Sequence, residues 1–222
     1  MTRLRILVTA GPTREPIDPV RFISNCSTGT MGLAIAAAAK KMGHKVILIN
    51  ASRGPHGMTA RQMKAEVLKN FPCVDAVIMA AAVSDYRPAK TVPQKIKKTR
   101  SNLTLKLIKN LDILEALGRK KKDKVLVGFA LETEGLYKNA VRKLKEKNLD
   151  FIVANRLTKR QDVFGDNKTS VLILDKHGNK EWLKGVTKDR VAERIIKKIE
   201  QFKKDPVLPL EMGCKTGSKF TS

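Results

Sequence analysis

Six short aliphatic runs punctuate the chain: Ile6 to Ala10, Val46 to Asn50, Ala76 to Ala80, Val125 to Phe129, Phe151 to Ala154 and Val171 to Leu174. Longer amphipathic segments follow several of them, at Met31 to Met42 with Gly43 beyond, Thr59 to Asn70, Glu134 to Lys147 and Lys188 to Phe202. A short run that is apolar throughout has no polar face to give to water. It belongs in a sheet covered on both sides, and the amphipathic segments are the covers. The alternation therefore predicts an α/β, Rossmann-like, doubly wound and mainly parallel sheet with helices on both faces. In such sheets ligands sit beyond the carboxyl ends of the strands, where the unusual residues of this chain cluster. One stretch breaks the pattern. Residues 91 to 109, TVPQKIKKTRSNLTLKLIK, set Leu103, Leu105 and Ile108 among polar positions, which reads as an antiparallel arm or hairpin appended to the main sheet, either a flap or a dimer contact.

The densest cluster is residues 6 to 32, ILVTAGPTREPIDPVRFISNCSTGTMG. Gly11-Pro12 stops the first strand, and Pro12, Pro16 and Pro19 stiffen a long connection that carries Arg14, Arg21 and Asn25. A stiffened loop presents side chains with little ordering cost on binding. Ser27, Thr28 and Gly29 then open a helix whose free N–H groups and positive dipole end favour a phosphate. The same residues serve equally to cap the helix while Gly29 and Gly32 pack it on a sheet. The spacing is not G-x-G-x-x-G, and G-x-x-x-x-G-K-[ST] is absent, so dinucleotide and Walker readings both lose weight.

At 222 residues, 42% of them hydrophobic, the chain can bury one large core without staples. Residues 1–205 read as a single nucleotide-binding domain, and 206–222, with two prolines and two glycines, as a loosely ordered tail. No run reaches membrane-spanning length and no signal peptide opens the chain, which points to a cytoplasmic protein with no membrane partner. Cys26, Cys73 and Cys214 have neither disulfide nor zinc spacing, and His44, His56 and His177 stand singly in turn-like contexts that suit surface histidines. The formal charge of +24 calls for anionic partners. It is concentrated at 95–100, 119–124, 138–147 and 197–204, the second and fourth of which read as solvated faces. With aromatics at 5% and no helix-turn-helix or RRM signature, no specific nucleic acid is indicated; a basic nucleic-acid-binding protein on the same fold is the alternative reading.

LVTAGPTREPIDPVRFISNCSTGTMG, MAAAVSDYRPA, PQKIKK, IKNLDIL, GFALET and KNLDFIVAN, in this order and spacing, resemble the phosphopantothenate-cysteine ligase family of coenzyme A biosynthesis, in its bacterial form. The resemblance covers most of residues 4–175. It implies activation of the carboxylate of 4'-phosphopantothenate by a nucleoside triphosphate with Mg2+, release of pyrophosphate, and attack of L-cysteine on the acyl-nucleotide. The bacterial form implies CTP, hence an acyl-cytidylate and CMP, and the family implies a homodimer with the site near its interface. In many bacteria this unit is fused behind a flavin-dependent decarboxylase. No such half is present in the sequence, so the expectation is a ligase whose partner activity lies on another chain.

Carried over position by position, the resemblance implies these roles. A carboxylate attacking a phosphate must overcome anion repulsion, so cations and oriented dipoles matter more than a general base. Lys95 of PQKIKK would contact the triphosphate and stabilise the leaving pyrophosphate. Asn25 would donate its neutral amide to the activated carbonyl. Arg21 would hold the pantothenate side, and Ser27 and Gly29 the phosphate. Ala80 and Ala81 would offer backbone contacts, with Asp85 at ribose or Mg2+. Lys109, Asn110, Leu111 and Asp112 would enclose the nucleotide, and Phe129 would wall the base. Lys143 and Lys147, one helical turn apart, form a like-charged pair that an anion would relieve. Mg2+ would be held mainly by nucleotide phosphates rather than by protein side chains alone. Three departures are visible: Thr30 where many relatives carry lysine, Leu111 for a common proline, and a loop at Phe164 to Asn167 that is one residue short.

Overall fold

The computed structural model describes residues 2–54, 56–98, 101–157 and 168–204; the tail at 206–222 and the loop at Phe164 to Asn167 lie outside the described residues. The first half runs β1 (Arg5–Ala10), β2 (Arg14–Pro16), β3 (Phe22–Ser24), α1 (Thr30–Lys41), β4 (Lys45–Asn50), α2 (Ala60–Asn70) and β5 (Ala76–Met79). The second runs β6 (Tyr86–Pro88), β7 (Leu107–Lys109), α3 (Ile113–Gly118), β8 (Val125–Glu132), α4 (Leu136–Glu146), β9 (Phe151–Arg156), β10 (Thr169–Asp175), β11 (Lys180–Val186) and α5 (Lys188–Lys204). Seven strands form one sheet in the order β11-β10-β9-β8-β5-β1-β4. β4, β1, β5, β8 and β9 are mutually parallel, while β10 adds antiparallel to β9 and β11 antiparallel to β10.

Strand alternation divides the core in two. Ile6, Val8, Ile78, Val127 and Val153 face one side and pack with Ile35 of α1 and Ile195 and Ile199 of α5. Leu7, Val77, Leu126 and Ile152 face the other, against Met63 and Val67 of α2, Leu117 of α3 and Leu144 of α4. The central strands β1, β5, β8 and β9 are buried on both faces because helices cover both, which is why their runs lack polar alternation. Thr59 begins α2 with a capping box shared with Gln62. From β1 the chain steps to β4 on one side and then crosses to β5 on the other, so the connections diverge between β1 and β5 and open a crevice at their carboxyl ends.

The antiparallel arm expected at 91–109 is present, but through its end alone: β7, its strand among the described residues, pairs antiparallel with β6 in a separate two-stranded sheet rather than on the main one. Leu103 and Leu105 are exposed, so the alternation there marks no buried face. His44 is a buried residue, accepting from the Leu4 N–H through Nδ1 at 3.3 Å, with Nε2 3.2 Å from Glu200 of α5. The basic patches read as solvated each contain a buried lysine. Lys121 pairs with Asp150 at 2.8 Å and Lys198 with Asp175 at 2.8 Å, since a buried cation is tolerated only beside a carboxylate. β11, too, was missed by the aliphatic criterion, because an edge strand alternates and is half solvated.

Candidate functional site

A cavity of about 570 Å³ lies at the carboxyl ends of β1, β5 and β8. Its walls are the turn into α1, the segment after β5, the turn into α3, and side chains from β8, β9, β10, α4 and α5.

The turn into α1 is fixed by close backbone approach. Gly29 has φ 75° and a Cβ there would come within 2.8 Å of the Gly11 nitrogen, while one on Gly32 would meet Ala10 Cβ at 2.6 Å. Only glycine lets the first turn of α1 lie on the end of β1. The glycines thus pack the helix on the sheet. Neither Ser27 nor Thr28 is the N-cap: that residue is Gly29, which has no side chain to offer the first helical N–H groups. Ser27 Oγ accepts from Gly29 N–H at 3.3 Å, and Thr28 and Thr30 hydroxyls lie 3.0 Å apart.

The segment after β5 is zipped to the end of β1. The buried hydroxyls of Thr9 and Thr13 accept from Ala81 N–H at 3.1 Å and Ser84 N–H at 2.9 Å. Asn25 then reaches across, its Nδ2 donating to the Val83 carbonyl at 3.1 Å, which fixes the amide beside Ala81. Asn110 ties in the third wall by donating to Ser84 O at 2.9 Å, while its own Oδ1 accepts from Arg87 at 2.9 Å. Asp85 is exposed at the rim, with no bond to its carboxylate among the described residues.

Most of the expected residues therefore line one cavity: Asn25, Ser27, Gly29, Ala80, Ala81 and Asp85 on one side, and Lys109 to Asp112, Phe129, Lys143 and Lys147 on the other. Two do not. Arg21 is drawn to Asp18, its Nη2 2.5 Å and its Nε 3.0 Å from Oδ2, and donates also to the Ile96 carbonyl at 2.8 Å. Lys95 is exposed on the neighbouring segment, outside the cavity wall. The guanidinium that was expected to hold substrate instead anchors the stretch that carries Lys95.

The like-charge argument for Lys143 and Lys147 also needs correction. Lys143 pairs with Glu132 at 2.7 Å and Lys147 with Asp112 at 2.7 Å, so carboxylates of this chain relieve the crowding without a bound anion. Asp112 does two jobs, because its Oδ1 also accepts from Glu115 N–H and begins α3. Burial opposes ionisation of its carboxyl, but the Lys147 ammonium and the Glu115 N–H outweigh that and hold its pKa below the usual carboxylate value. Sequence reasoning missed Glu132, although GFALET contains it. It also missed Asn155, Thr169 and Lys188, which line the cavity from elements remote in sequence.

Among the described residues no group of three or more His, Cys, Asp or Glu side chains could hold a metal, and no helix is long and apolar enough to cross a membrane. The exposed Asp85 carboxylate on the cavity wall fits Mg2+, which keeps its waters and takes one or two carboxylates plus phosphate oxygens.

Residues 1–202 match the DNA/pantothenate metabolism flavoprotein C-terminal domain. The coenzyme A biosynthesis bifunctional protein CoaBC of Bacillus subtilis (strain 168) is 42% identical over 209 residues, which are 90% of this chain and 52% of that protein. That of Escherichia coli (strain K12) is 39% identical over 196 residues, 81% of this chain and 48% of the other. The chain thus spans about half the length of the curated relatives it matches. Among solved structures, the C-terminal domain of a coenzyme A biosynthesis bifunctional protein CoaBC superposes with a TM-score of 0.75 at 39% identity, covering 90% of this chain and 95% of that one.

Proposed function

Since this chain belongs to the DNA/pantothenate metabolism flavoprotein C-terminal domain family, we propose that it joins 4'-phosphopantothenate to L-cysteine in coenzyme A biosynthesis, with CTP cleaved to CMP and pyrophosphate. The observation that carries the reading is the cavity: Asn25, bonded to Val83, faces a rim carboxylate and a wall of lysines across a space large enough for a nucleotide.

In the first half-reaction a carboxylate oxygen of phosphopantothenate bonds to the α-phosphorus of CTP, and the bond to pyrophosphate breaks. Both reactants are anions. Lys143 and Lys147 offer ammonium N–H donors already held in place by Glu132 and Asp112, so little reorganisation accompanies the step. Asp85 is the residue that would share Mg2+ with the phosphates, and the bound ion would supply charge neutralisation on the leaving group. In the second, the cysteine amine attacks the acyl carbon, the carbonyl oxygen gains negative charge, and CMP leaves as the amide forms. Asn25 offers a neutral donor for that oxygen, supported by a loop that Thr9 and Thr13 hold in place. Ala80 and Ala81 keep the wall thin for ribose or base, and Phe129 closes it from β8.

Lys95 and Arg21 enter this reading differently. Both belong to the segments joined through Asp18 and Ile96, and their roles as phosphate and pantothenate ligands require that those segments meet the cavity of a second copy in a homodimer or close over their own. Residues 1–205 act as one unit in either case. The test is an assay of purified protein with phosphopantothenate, cysteine and each of the four nucleoside triphosphates. Cysteine-dependent CMP formation, greatest with CTP, is the expected result; no pyrophosphate from any of the four rejects the reading.

A further inference from the structure

Lys188 is the first residue of α5 and stands 158 positions from Thr30 in sequence. Folding brings its ammonium to 2.6 Å from the Thr30 hydroxyl, at the first residue of α1, and both side chains line the cavity. An ammonium has donors only, so the Thr30 oxygen accepts this bond and its own proton turns toward Thr28, 3.0 Å away, or toward the cavity. The position of the charge is set by rigid parts. α1 and α5 pack on the same face of the sheet through Ile35, Ala39, Ile195 and Ile199, and Thr30 and Lys188 are the first residues of those two helices. The turn that the ammonium overlooks is the one that Gly29 and Gly32 press onto β1, beside the two threonine hydroxyls. A cation, two hydroxyls and a tight backbone turn around one corner of a cavity match a phosphoryl group, whose oxygens accept from all of them.

We propose that Lys188 is a phosphate-binding residue of this cavity: it delivers from α5 the positive charge that position 30 lacks, and with Thr28 and Thr30 it takes the phosphoryl oxygens of the bound nucleoside triphosphate. The ligand class rests on the ligase reading; the placement of the cation does not. The threonine at position 30 is then no deficit. A long side chain there would compete with Lys188 for the same corner, whereas a short hydroxyl orients it.

The test compares CTP with cytidine, which differ only in the phosphates. Titration calorimetry on the wild type, Lys188→Met, Lys188→Arg and the double variant Lys188→Met with Thr30→Lys reads affinity for each, and thermal melting checks the fold. Loss of one charge-assisted contact predicts about tenfold weaker CTP binding for Lys188→Met. Cytidine binding should stay unchanged, Lys188→Arg should keep wild-type CTP affinity, and the double variant should recover most of the loss. Unchanged CTP affinity in folded Lys188→Met overturns the proposal, as does equal loss for CTP and cytidine, which would mean a purely structural role. The two readings fail separately. A wild type that binds CTP but makes no CMP with phosphopantothenate and cysteine removes the ligase reading and leaves the titration standing. Turnover with an unaffected Lys188→Met does the reverse, and a wild type that binds none of the four nucleoside triphosphates removes both.

Discussion

Asn25 and Asp112 show how single side chains serve fold and site at once. The Asn25 amide is held by Val83 O, so its orientation predates any ligand. Replacing it by aspartate keeps the size and adds a negative charge facing the oxygen that becomes anionic when cysteine attacks. Asn25→Asp should therefore slow cysteine-dependent CMP release by about 10²–10³ while pyrophosphate release in the first half-reaction changes far less. Single-turnover kinetics of the two halves measure this, and equal slowing of both would contradict the assigned role. At Asp112 the cap and the ion pair can be separated. Asp112→Asn keeps an acceptor for Glu115 N–H, whereas Asp112→Ala removes it, so urea denaturation should find the alanine variant less stable than the asparagine one by about 1 kcal/mol. Identical midpoints would mean that α3 does not depend on its cap.

Two elements bear on the site in different ways: the start of α1 walls the cavity, and the 93–98 segment lies outside it. Alanine is the better helix former by about 1 kcal/mol, yet Gly32→Ala should destabilise the protein. A Cβ there would fall 2.6 Å from Ala10 Cβ and 2.8 Å from Thr9 O, a contact that forces α1 off β1 at a cost of about 1–3 kcal/mol. A lowered urea midpoint together with weaker nucleotide binding is expected, and a stabilised variant would show that the helix start yields freely. The 93–98 segment hangs on Asp18, whose buried side chain accepts from Arg21, from Val20 N–H and from Ile96 N–H at 3.1 Å. The Arg21 guanidinium, helped by those N–H groups and opposed by burial, holds the Asp18 carboxyl well below the usual carboxylate range.

Across the whole molecule, acid and salt act on charge. Asp18, Asp112 and Asp175 all have lowered pKa values, the last because Lys198 and Asn179 outweigh the burial that opposes its ionisation. A depressed folded-state pKa means that the unfolded chain binds protons first. These groups therefore add stability above their unfolded pKa of about 3.9, and the contribution is lost as pH falls through the folded values. Urea denaturation from neutral pH downward should show stability falling below about pH 5. A flat acid limb would contradict the three shifts. The net charge of +24 works the other way with salt. Self-repulsion is screened beyond about 8 Å at physiological ionic strength, so the melting temperature should rise with added sodium chloride, and a fall would mean that the ion pairs outweigh the repulsion.

The sequence alone determined the layered fold and the loops that form the cavity, because both are written in local terms. Aliphatic runs buried on two faces need no partner to be recognised, and a Gly-Pro stop or a glycine-rich helix start acts through its own backbone. Asn25, Ala81, Asp85 and Lys147 were legible as cavity residues only through the family resemblance of the motifs that carry them. Only the tertiary structure decided what depends on distance: that Arg21 belongs to Asp18, that Glu132 and Asp112 neutralise the two lysines of α4, that His44 is buried, and that Lys188 stands beside Thr30. A charged side chain reads the same in sequence whether it meets solvent, a carboxylate or a ligand. Its role is fixed by the first groups within a few ångströms, and those are chosen by how the helices pack on the sheet.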